Sequence, residues 1–335
     1  MVLTYKCPSC ASFLTYDIKS GKMGCASCGM TEPLERAEAE NKILPAPDQT
    51  PYSCPSCGGP IEAGSHGASM KCSYCSSPVI LTPRITGEYA PSCLIPFSFG
   101  PDEAAAIYRK WCRHGLVTPS AMLKEEQIGK LLSEYVPFWM YDAQTNTKMT
   151  AMCTRTRVYR LGNDEYTEIS HFAAERDMDL SFNRLPADAS IRMDDRLMDL
   201  LEPYDFSGIS GFRMPMLSGF FAERYNVSSA DLSGRICSRI DTYCRDHVRA
   251  QITGYGTVNI SSCAVDIKDL RAAFALLPVF TLNYNYKGKD YLFAMNGQTG
   301  KISGSPPISR FKVSLWLAGL TGAIYGLIRL VSLFI

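Results

Sequence analysis

The sequence lacks an excess of charge of either sign. Its 335 residues include 34 lysines and arginines and 33 aspartates and glutamates, so the formal net charge is +1. A protein that attracts nucleic acid or an anionic membrane through its overall field needs a large basic excess. Binding of either kind would therefore require a local basic patch.

An export signal is also lacking. The first ten residues, "MVLTYKCPSC", contain no basic segment followed by an apolar one. The fourteen cysteines are many for this length, and they fit either disulfides in an oxidising compartment or thiolate metal ligands in a reducing one. Without a signal, the reducing compartment and metal are favoured.

The motifs of common catalytic sites are absent from the sequence. It contains no G-x-S-x-G, no H-E-x-x-H and no cluster of Asp, Glu and His, and "GQTGKI" lacks the first Gly and the Ser/Thr of a P-loop. The four histidines are scattered. We therefore predict that the protein is not an enzyme. An unrecognised site in the middle of the chain is the alternative, and it would need a deep pocket with convergent ionisable residues.

What the sequence does contain is a duplicated cysteine pattern. Each copy reads C-x2-C-x14-C-x2-C, and the copies consist of Cys7, Cys10, Cys25 and Cys28, and of Cys54, Cys57, Cys72 and Cys75. Two residues between cysteines let one turn aim both sulfurs at one ion, and two such turns complete a closed tetrahedral zinc site. We predict two tandem zinc ribbons with two structural zinc ions, each held by four thiolates. Disulfide-bonded loops are the alternative, and iron would also fit four thiolates.

The region of these cysteines is not basic. Residues 1–87 carry seven basic and seven acidic side chains, and the linker "TEPLERAEAENK" is acidic. Binding to phosphates needs a basic face, so the composition argues against nucleic acid as a partner.

Gly29 and Gly58 follow the second cysteine of a pair and can supply a positive φ, whereas Ala11 and Ser76 stand at the two equivalent positions and are not expected to supply one.

A long apolar run follows Arg310 and Lys312. The segment Val313–Ile335, "VSLWLAGLTGAIYGLIRLVSLFI", has Arg329 as its one charged residue. At about 1.5 Å per residue it is long enough for a hydrocarbon core of about 30 Å. We predict a transmembrane helix that anchors the protein in the lipid bilayer of the cell membrane, with a buried core helix as the alternative. The two basic residues before the run place the bulk of the chain in the cytoplasm.

Small residues recur at four-residue intervals along this run: Ser314, Ala318, Gly322 and Gly326. In lipid, such a row lets another helix approach closely. We predict a packing face for a membrane partner, which is either a second copy of the chain, giving a homo-oligomer, or a different membrane protein.

The middle of the chain mixes helical and strand patterns. A helix is predicted from Asp102, and another follows a capping pair of Ser228 and Asp231. Hairpin turns are predicted at Gly162-Asn163 and at Lys287 to Asp290. The predicted fold class is α+β, divided into a first ribbon with its acidic linker (1–44), a second ribbon (45–87), a β-rich α+β domain (88–309) and the C-terminal anchor (310–335).

The order of these features resembles a known family. After the two ribbons come "PSCLIPF" (Pro91–Phe97), "YVPFWMYDA" (Tyr135–Ala143), "LSGFFAERY" (Leu217–Tyr225), "LLPVFTLNYNYKGKDYLFAMNGQTGKISGSPP" (Leu276–Pro307) and a hydrophobic C-terminus. Together these segments resemble the bacterial TFIIB-type zinc-ribbon membrane proteins, which are often mislabelled as replication or helicase proteins. The resemblance covers essentially the whole chain, and it identifies the eight ribbon cysteines as metal ligands.

The resemblance also implies a function. Several proteins of that family are encoded beside SPFH (flotillin-like) proteins and partners of phage-shock protein A, which implies a role in membrane organisation or the envelope stress response. We therefore expect a membrane-anchored zinc-ribbon adaptor or scaffold that binds proteins on the cytoplasmic face. The alternative is a membrane-tethered regulator that contacts nucleic acid or RNA polymerase through its zinc ribbons.

Overall fold

The computed structural model describes residues 1–41 and 51–332 as a mixed α+β protein with a sheet-rich body. The strands in this part of the chain are β1 Val2–Leu3, β2 Leu14–Asp17, β3 Lys22–Cys25, β4 Thr31–Glu32, β5 Tyr52–Ser53, β6 Pro60–Ile61, β7 Gly67–Lys71, β8 Pro78–Leu81, β9 Cys93–Leu94, β10 Leu132–Leu161, β11 Asp164–Asp188, β12 Ser210–Gly211, β13 Phe221–Glu223, β14 Thr257–Tyr286, β15 Lys289–Asn296 and β16 Ile302–Gly304. The α-helices are α1 Leu34–Glu40, α2 Pro101–His114, α3 Glu125–Ile128, α4 Asp195–Asp199, α5 Ser229–Ala250 and α6 Arg310–Val331.

Most strands belong to one large sheet. Its main order is β1-β8-β7-β13-β10-β14-β15-β16, with β11 beside β10, and with β9 beside β12 and β14. Strands β2, β3 and β4 form a separate three-stranded sheet, and β5 pairs with β6. Within the described residues the chain separates into two compact units: Met1–Pro137, Ser190–Tyr225 and Ala275–Ile335 make the first, and Phe138–Ala189 and Asn226–Phe274 make the second.

An aromatic cluster lies in the core of the first unit. Phe97 packs with its ring centroid 5.1 Å from Tyr135, 5.1 Å from Phe220 and 4.8 Å from Phe280. Tyr135 and Phe280 are at most 1% exposed. Each ring comes from a different one of the four segments that carry the family resemblance. These distant stretches of sequence therefore meet because large aromatic side chains bury much apolar area together.

The second unit contains a long hairpin and a capped helix. β10 and β11 pair around the predicted turn at Gly162-Asn163, which sets Arg157 opposite Glu168 and Arg160 opposite Glu165. The predicted capping pair at the start of α5 is confirmed, because Ser228 Oγ accepts from the N–H of Asp231 while the Asp231 carboxylate accepts from the N–H of Ser228. The buried residues of α5 are Leu232, Ile236, Ile240, Cys244 and Val248. Tyr243, which precedes Cys244 on the same helix, is 45% exposed.

The predicted domain boundaries stay predictions. The one between residues 44 and 45 lies outside the described residues. Strand β7 comes before the boundary at residue 87 and strand β13 comes after it, and the two pair with each other, with Ser69 opposite Ala222. Strand β7, which comes directly before Cys72, is therefore part of the large sheet.

Candidate metal centres and candidate membrane span

Both groups of four cysteines converge. Within each group the four Sγ atoms all lie within 4.8 Å of one another. The shorter separations are 3.6 Å for Cys7 and Cys28 and 3.5 Å for Cys10 and Cys25 in the first group. In the second group they are 3.7 Å for Cys54 and Cys75 and 3.8 Å for Cys57 and Cys72.

These distances fit a metal and do not fit disulfides. A tetrahedron with zinc–sulfur bonds of about 2.3 Å has sulfurs about 3.8 Å apart, whereas a disulfide needs about 2.05 Å. All eight cysteines are free thiols. Each group can therefore hold one metal ion with four thiolate ligands, and a fourfold protein ligand set leaves no coordination position for water.

The four cysteine turns share one backbone geometry. In each turn the residue after the second cysteine donates its N–H to the carbonyl of the first cysteine, at 2.8–2.9 Å, as Ala11 does to Cys7. The first cysteine in turn donates its N–H to the carbonyl five residues later, as Cys7 does to Ser12 at 2.7 Å. These paired bonds fix the chain so that both sulfurs point to one side of the turn.

In each turn, this geometry gives the residue after the second cysteine a left-handed backbone conformation. The φ angles are 74° at Gly29 and at Gly58, but also 57° at Ala11 and 58° at Ser76. The sequence-based expectation that Ala11 and Ser76 do not supply a positive φ is therefore wrong. The two backbone hydrogen bonds of the turn impose the angle whatever the side chain is.

Burial and hydrogen bonding differ between the two cysteines of a turn. The first is buried in all four turns, whereas Cys10, Cys28 and Cys57 are exposed and Cys75 is half-buried. The backbone N–H of Cys28 helps to lower the pKa of Cys25 to about 6. Burial acts to raise the pKa of Cys54, but hydrogen bonds from Ser77 Oγ and from backbone N–H groups outweigh it and lower that pKa to about 6. For Cys10 and Cys57 a backbone hydrogen bond acts to lower the pKa, but hydrogen bonds with the neighbouring thiols outweigh it and raise the pKa to about 12. Without a metal, negative charge in each group is therefore held more readily by Cys25 and Cys54.

The two groups differ at one equivalent position. Ser77 is fully buried, and its Oγ lies 3.3 Å from Cys54 Sγ and 3.1 Å from Cys75 Sγ. Met30 occupies the same place in the first group, where its thioether sulfur lies 3.7 Å from Cys7 Sγ. A hydroxyl donor stabilises thiolate charge better than a thioether does. Aligning the two cysteine repeats would have found this difference, but the sequence analysis missed it.

A buried arginine supports the second group. Arg84 is 3% exposed, its Nη1 donates to the carbonyls of Gly64 and Gly67 at 2.8 and 3.0 Å, and its guanidinium lies 5.3 Å from the centroid of the Tyr52 ring. It thereby connects the loop between the two cysteine turns to strand β5. Nothing in the sequence distinguishes Arg84 from an exposed arginine.

Helix α6 is a candidate for a single membrane span. It has 22 residues, an 18-residue window of mean hydropathy 1.5, and no part of that window is buried in the protein. By length and composition it can cross a bilayer, although soluble helices can meet the same criteria. The last three residues of the predicted anchor, 333–335, lie outside the described part of the chain.

The predicted packing face is open along the helix. Ser314, Ala318, Gly322 and Gly326 are all exposed, and a Cβ added at Gly322 or Gly326 would meet no atom within 4 Å. Before the helix, Ser309 caps its N-terminus. Lys312 Nζ donates to the carbonyl of Thr118 at 2.7 Å, which attaches the first turn of α6 to the first unit.

Comparison with known proteins gives a full-length relative. No family model matches the chain, and no solved structure matches it. A protein of Bacillus subtilis (strain 168), named "Uncharacterized protein YdjG", is 36% identical over 335 residues, which span 99% of this chain and 98% of the relative.

Proposed function

Because the chain belongs to the same family as YdjG of Bacillus subtilis over nearly its whole length, we propose one function for its cysteine groups, body and apolar helix together. The protein is a membrane-anchored adaptor that binds other proteins on the cytoplasmic face. The observation that carries this proposal is that both four-cysteine groups and α6 belong to the same compact unit. In this proposal, a metal-stabilised binding surface is attached directly to a membrane anchor.

In this proposal the metal is zinc and its role is structural. The two groups act as tandem zinc ribbons whose closed ligand sets stabilise small segments that have little core of their own. Metal analysis of the protein purified in mild detergent should find two zinc ions per chain. Iron in place of zinc would contradict the choice of metal, and fewer than two ions would contradict the paired sites.

The proposed partners are membrane proteins. The resemblance to TFIIB-type zinc-ribbon membrane proteins supports SPFH (flotillin-like) or phage-shock protein A-type partners, in membrane organisation or the envelope stress response. The equal numbers of basic and acidic side chains in residues 1–87 support protein partners over nucleic acid, because phosphate binding needs a basic face. Binding rather than catalysis is the proposed activity.

Co-purification from native membranes tests the adaptor. The tagged full-length protein is extracted in mild detergent, with and without nuclease, and its partners are identified by mass spectrometry. We expect the same membrane proteins in both preparations. Polymerase subunits or partners that disappear with nuclease would overturn the adaptor proposal in favour of a tethered regulator that contacts nucleic acid or RNA polymerase.

A further inference from the structure

A cleft with three cations lies beside the first residue of α6. Its volume is about 510 Å³. One wall is the turn of the β14–β15 hairpin and the other is the segment that leads into the helix. Its lining includes Tyr286, Lys287, Lys289, Tyr291, Ile308 and Arg310.

The charges in this cleft are not compensated. Lys287, Lys289 and Arg310 are exposed, and within residues 1–41 and 51–332 none of the three forms an ion pair with a carboxylate. The adjacent acid, Asp290, accepts a hydrogen bond of 2.6 Å from Asn285 Nδ2. The cleft therefore presents three positive charges and no carboxylate on its walls, although the whole chain has a net charge of only +1.

Two of these cations, Lys287 and Lys289, lie at the hairpin turn. Lys287 and Gly288 both have positive φ, 55° and 77°, as expected for a two-residue hairpin turn. Lys287 Nζ lies 5.5 Å from the centroid of the Tyr286 ring, and Lys289 Nζ lies 5.5 Å from that of Tyr291. Each ammonium group thus has an aromatic neighbour, which attracts it without neutralising its charge.

Apolar side chains surround the same end of the helix. Leu116, Ile308 and Phe311 are 64%, 63% and 78% exposed, and the N–H of Ser309 donates to the carbonyl of Val117 at 2.9 Å, which holds their two segments together. Exposed apolar groups beside tyrosines and lysines at the start of an apolar helix have the composition of a membrane–water interface. If α6 crosses the bilayer, the cleft therefore lies at the depth of the lipid headgroups.

We propose that this cleft binds the headgroup of an anionic phospholipid from the bilayer in which α6 is inserted. The phosphate would lie among Lys287, Lys289 and Arg310, the tyrosines would flank the glycerol region, and Ile308 and Phe311 would enter the acyl boundary. A cation near an anionic membrane surface strengthens binding about fivefold. This inference rests on the proposed membrane anchor and adds to it a preference for anionic lipid.

Hydrogen exchange of the full-length protein in nanodiscs tests the cleft. One set of nanodiscs contains phosphatidylcholine alone and the other contains an equal mixture of phosphatidylcholine and phosphatidylglycerol. We expect the amides of residues 286–291 to exchange more slowly in the mixed nanodiscs, and we expect the double variant Lys287→Gln/Lys289→Gln to lose that difference. The matched control is Lys19→Gln/Lys22→Gln, which removes two exposed lysines around the β2–β3 turn and should keep the difference.

The remaining outcomes separate the lipid from other anions and from the anchor. The inference would be overturned by equal exchange in both nanodiscs, or by slowed exchange that persists in Lys287→Gln/Lys289→Gln. In either case, incorporation of the protein into the nanodiscs would still support the anchor. Equal protection by inorganic phosphate in phosphatidylcholine nanodiscs would assign the cleft to a soluble anion and overturn the lipid. Failure of the protein to enter nanodiscs would contradict both the anchor and the cleft.

Discussion

In each cysteine turn, a substitution of the residue after the second cysteine tests how the backbone geometry affects stability. Ala11 stands at φ 57° and Ser76 at 58°, in a region that disfavours any residue with a Cβ by about 1–2 kcal/mol. Glycine has no such cost, although it adds entropy to the unfolded chain. At these two positions, glycine should therefore make the folded protein more stable than the natural residue does.

Ala11→Gly should raise the free energy of unfolding by about 0.5–1 kcal/mol, because the relief at positive φ exceeds the added chain entropy. Urea denaturation of the metal-loaded protein in detergent measures the change. Ala26→Gly is the matched control, since Ala26 is exposed within a cysteine turn and has no positive φ. It should lose stability. A loss in Ala11→Gly of the same size would show that the left-handed geometry does not govern this turn.

Ser77→Ala should weaken metal binding by the second group by roughly tenfold or more, because loss of a hydrogen-bonding partner of a metal ligand commonly has an effect of that size. Competition with a chelator measures the affinity. Ser73→Ala, an exposed residue of the same cysteine turn, should leave it unchanged. An unaltered affinity in Ser77→Ala would mean that the contacts of 3.3 and 3.1 Å to the two sulfurs do not stabilise the thiolates.

Among the α-helices of the described residues, only α6 has no buried residue. All of its small-residue positions face outward, so a neighbouring helix in lipid could approach them closely. The sequence predicts this stripe from its four-residue spacing alone. The structure adds that nothing in the described residues stands in front of Gly322 or Gly326.

Gly322→Leu/Gly326→Leu should release a membrane partner without changing the fold, because two large side chains would keep the helices apart. Co-purification from membranes gives the readout. Ala323→Leu adds a comparable side chain on another face of the helix and should retain the partner. If both variants bind equally, the stripe is not the packing face.

At the scale of the whole molecule, the two four-cysteine groups are connected to different sheets. Strand β7 precedes Cys72 directly and pairs with both β8 and β13 in the large sheet. The first group instead contributes Cys25 to the separate sheet of β2, β3 and β4. Loss of the second metal should therefore reach farther into the body than loss of the first.

Cys72→Ser should speed amide exchange in β7, β8 and β13, because it removes a proposed metal ligand directly after β7. Cys25→Ser should speed exchange mainly in β2 to β4. Hydrogen exchange with mass spectrometry resolves these segments. Two results would contradict this coupling of the second group to the sheet. One is that Cys72→Ser leaves exchange in β8 and β13 unchanged, and the other is that Cys25→Ser also speeds exchange in β7, β8 and β13.

The sequence predicted what depends on local pattern. Cysteine spacing gave both ligand sets, the capping pair gave the start of α5, and Gly162-Asn163 gave the register that sets Arg160 opposite Glu165. It could not give contacts between distant segments. The stacking of Phe97 on Phe220 and the pairing of β7 with β13 depend on tertiary packing, which leaves no periodic signal in either segment.

The pairing of Val2 with Leu81 has a consequence for synthesis. A ribosome adds about 5–20 residues per second, so the first strand waits roughly 4–16 s for its partner. Within that interval the first set, which ends at Cys28, is complete before Cys54, the first cysteine of the second set, is made. The order of translation therefore offers four thiols to the first site before any thiol of the second site can compete for it.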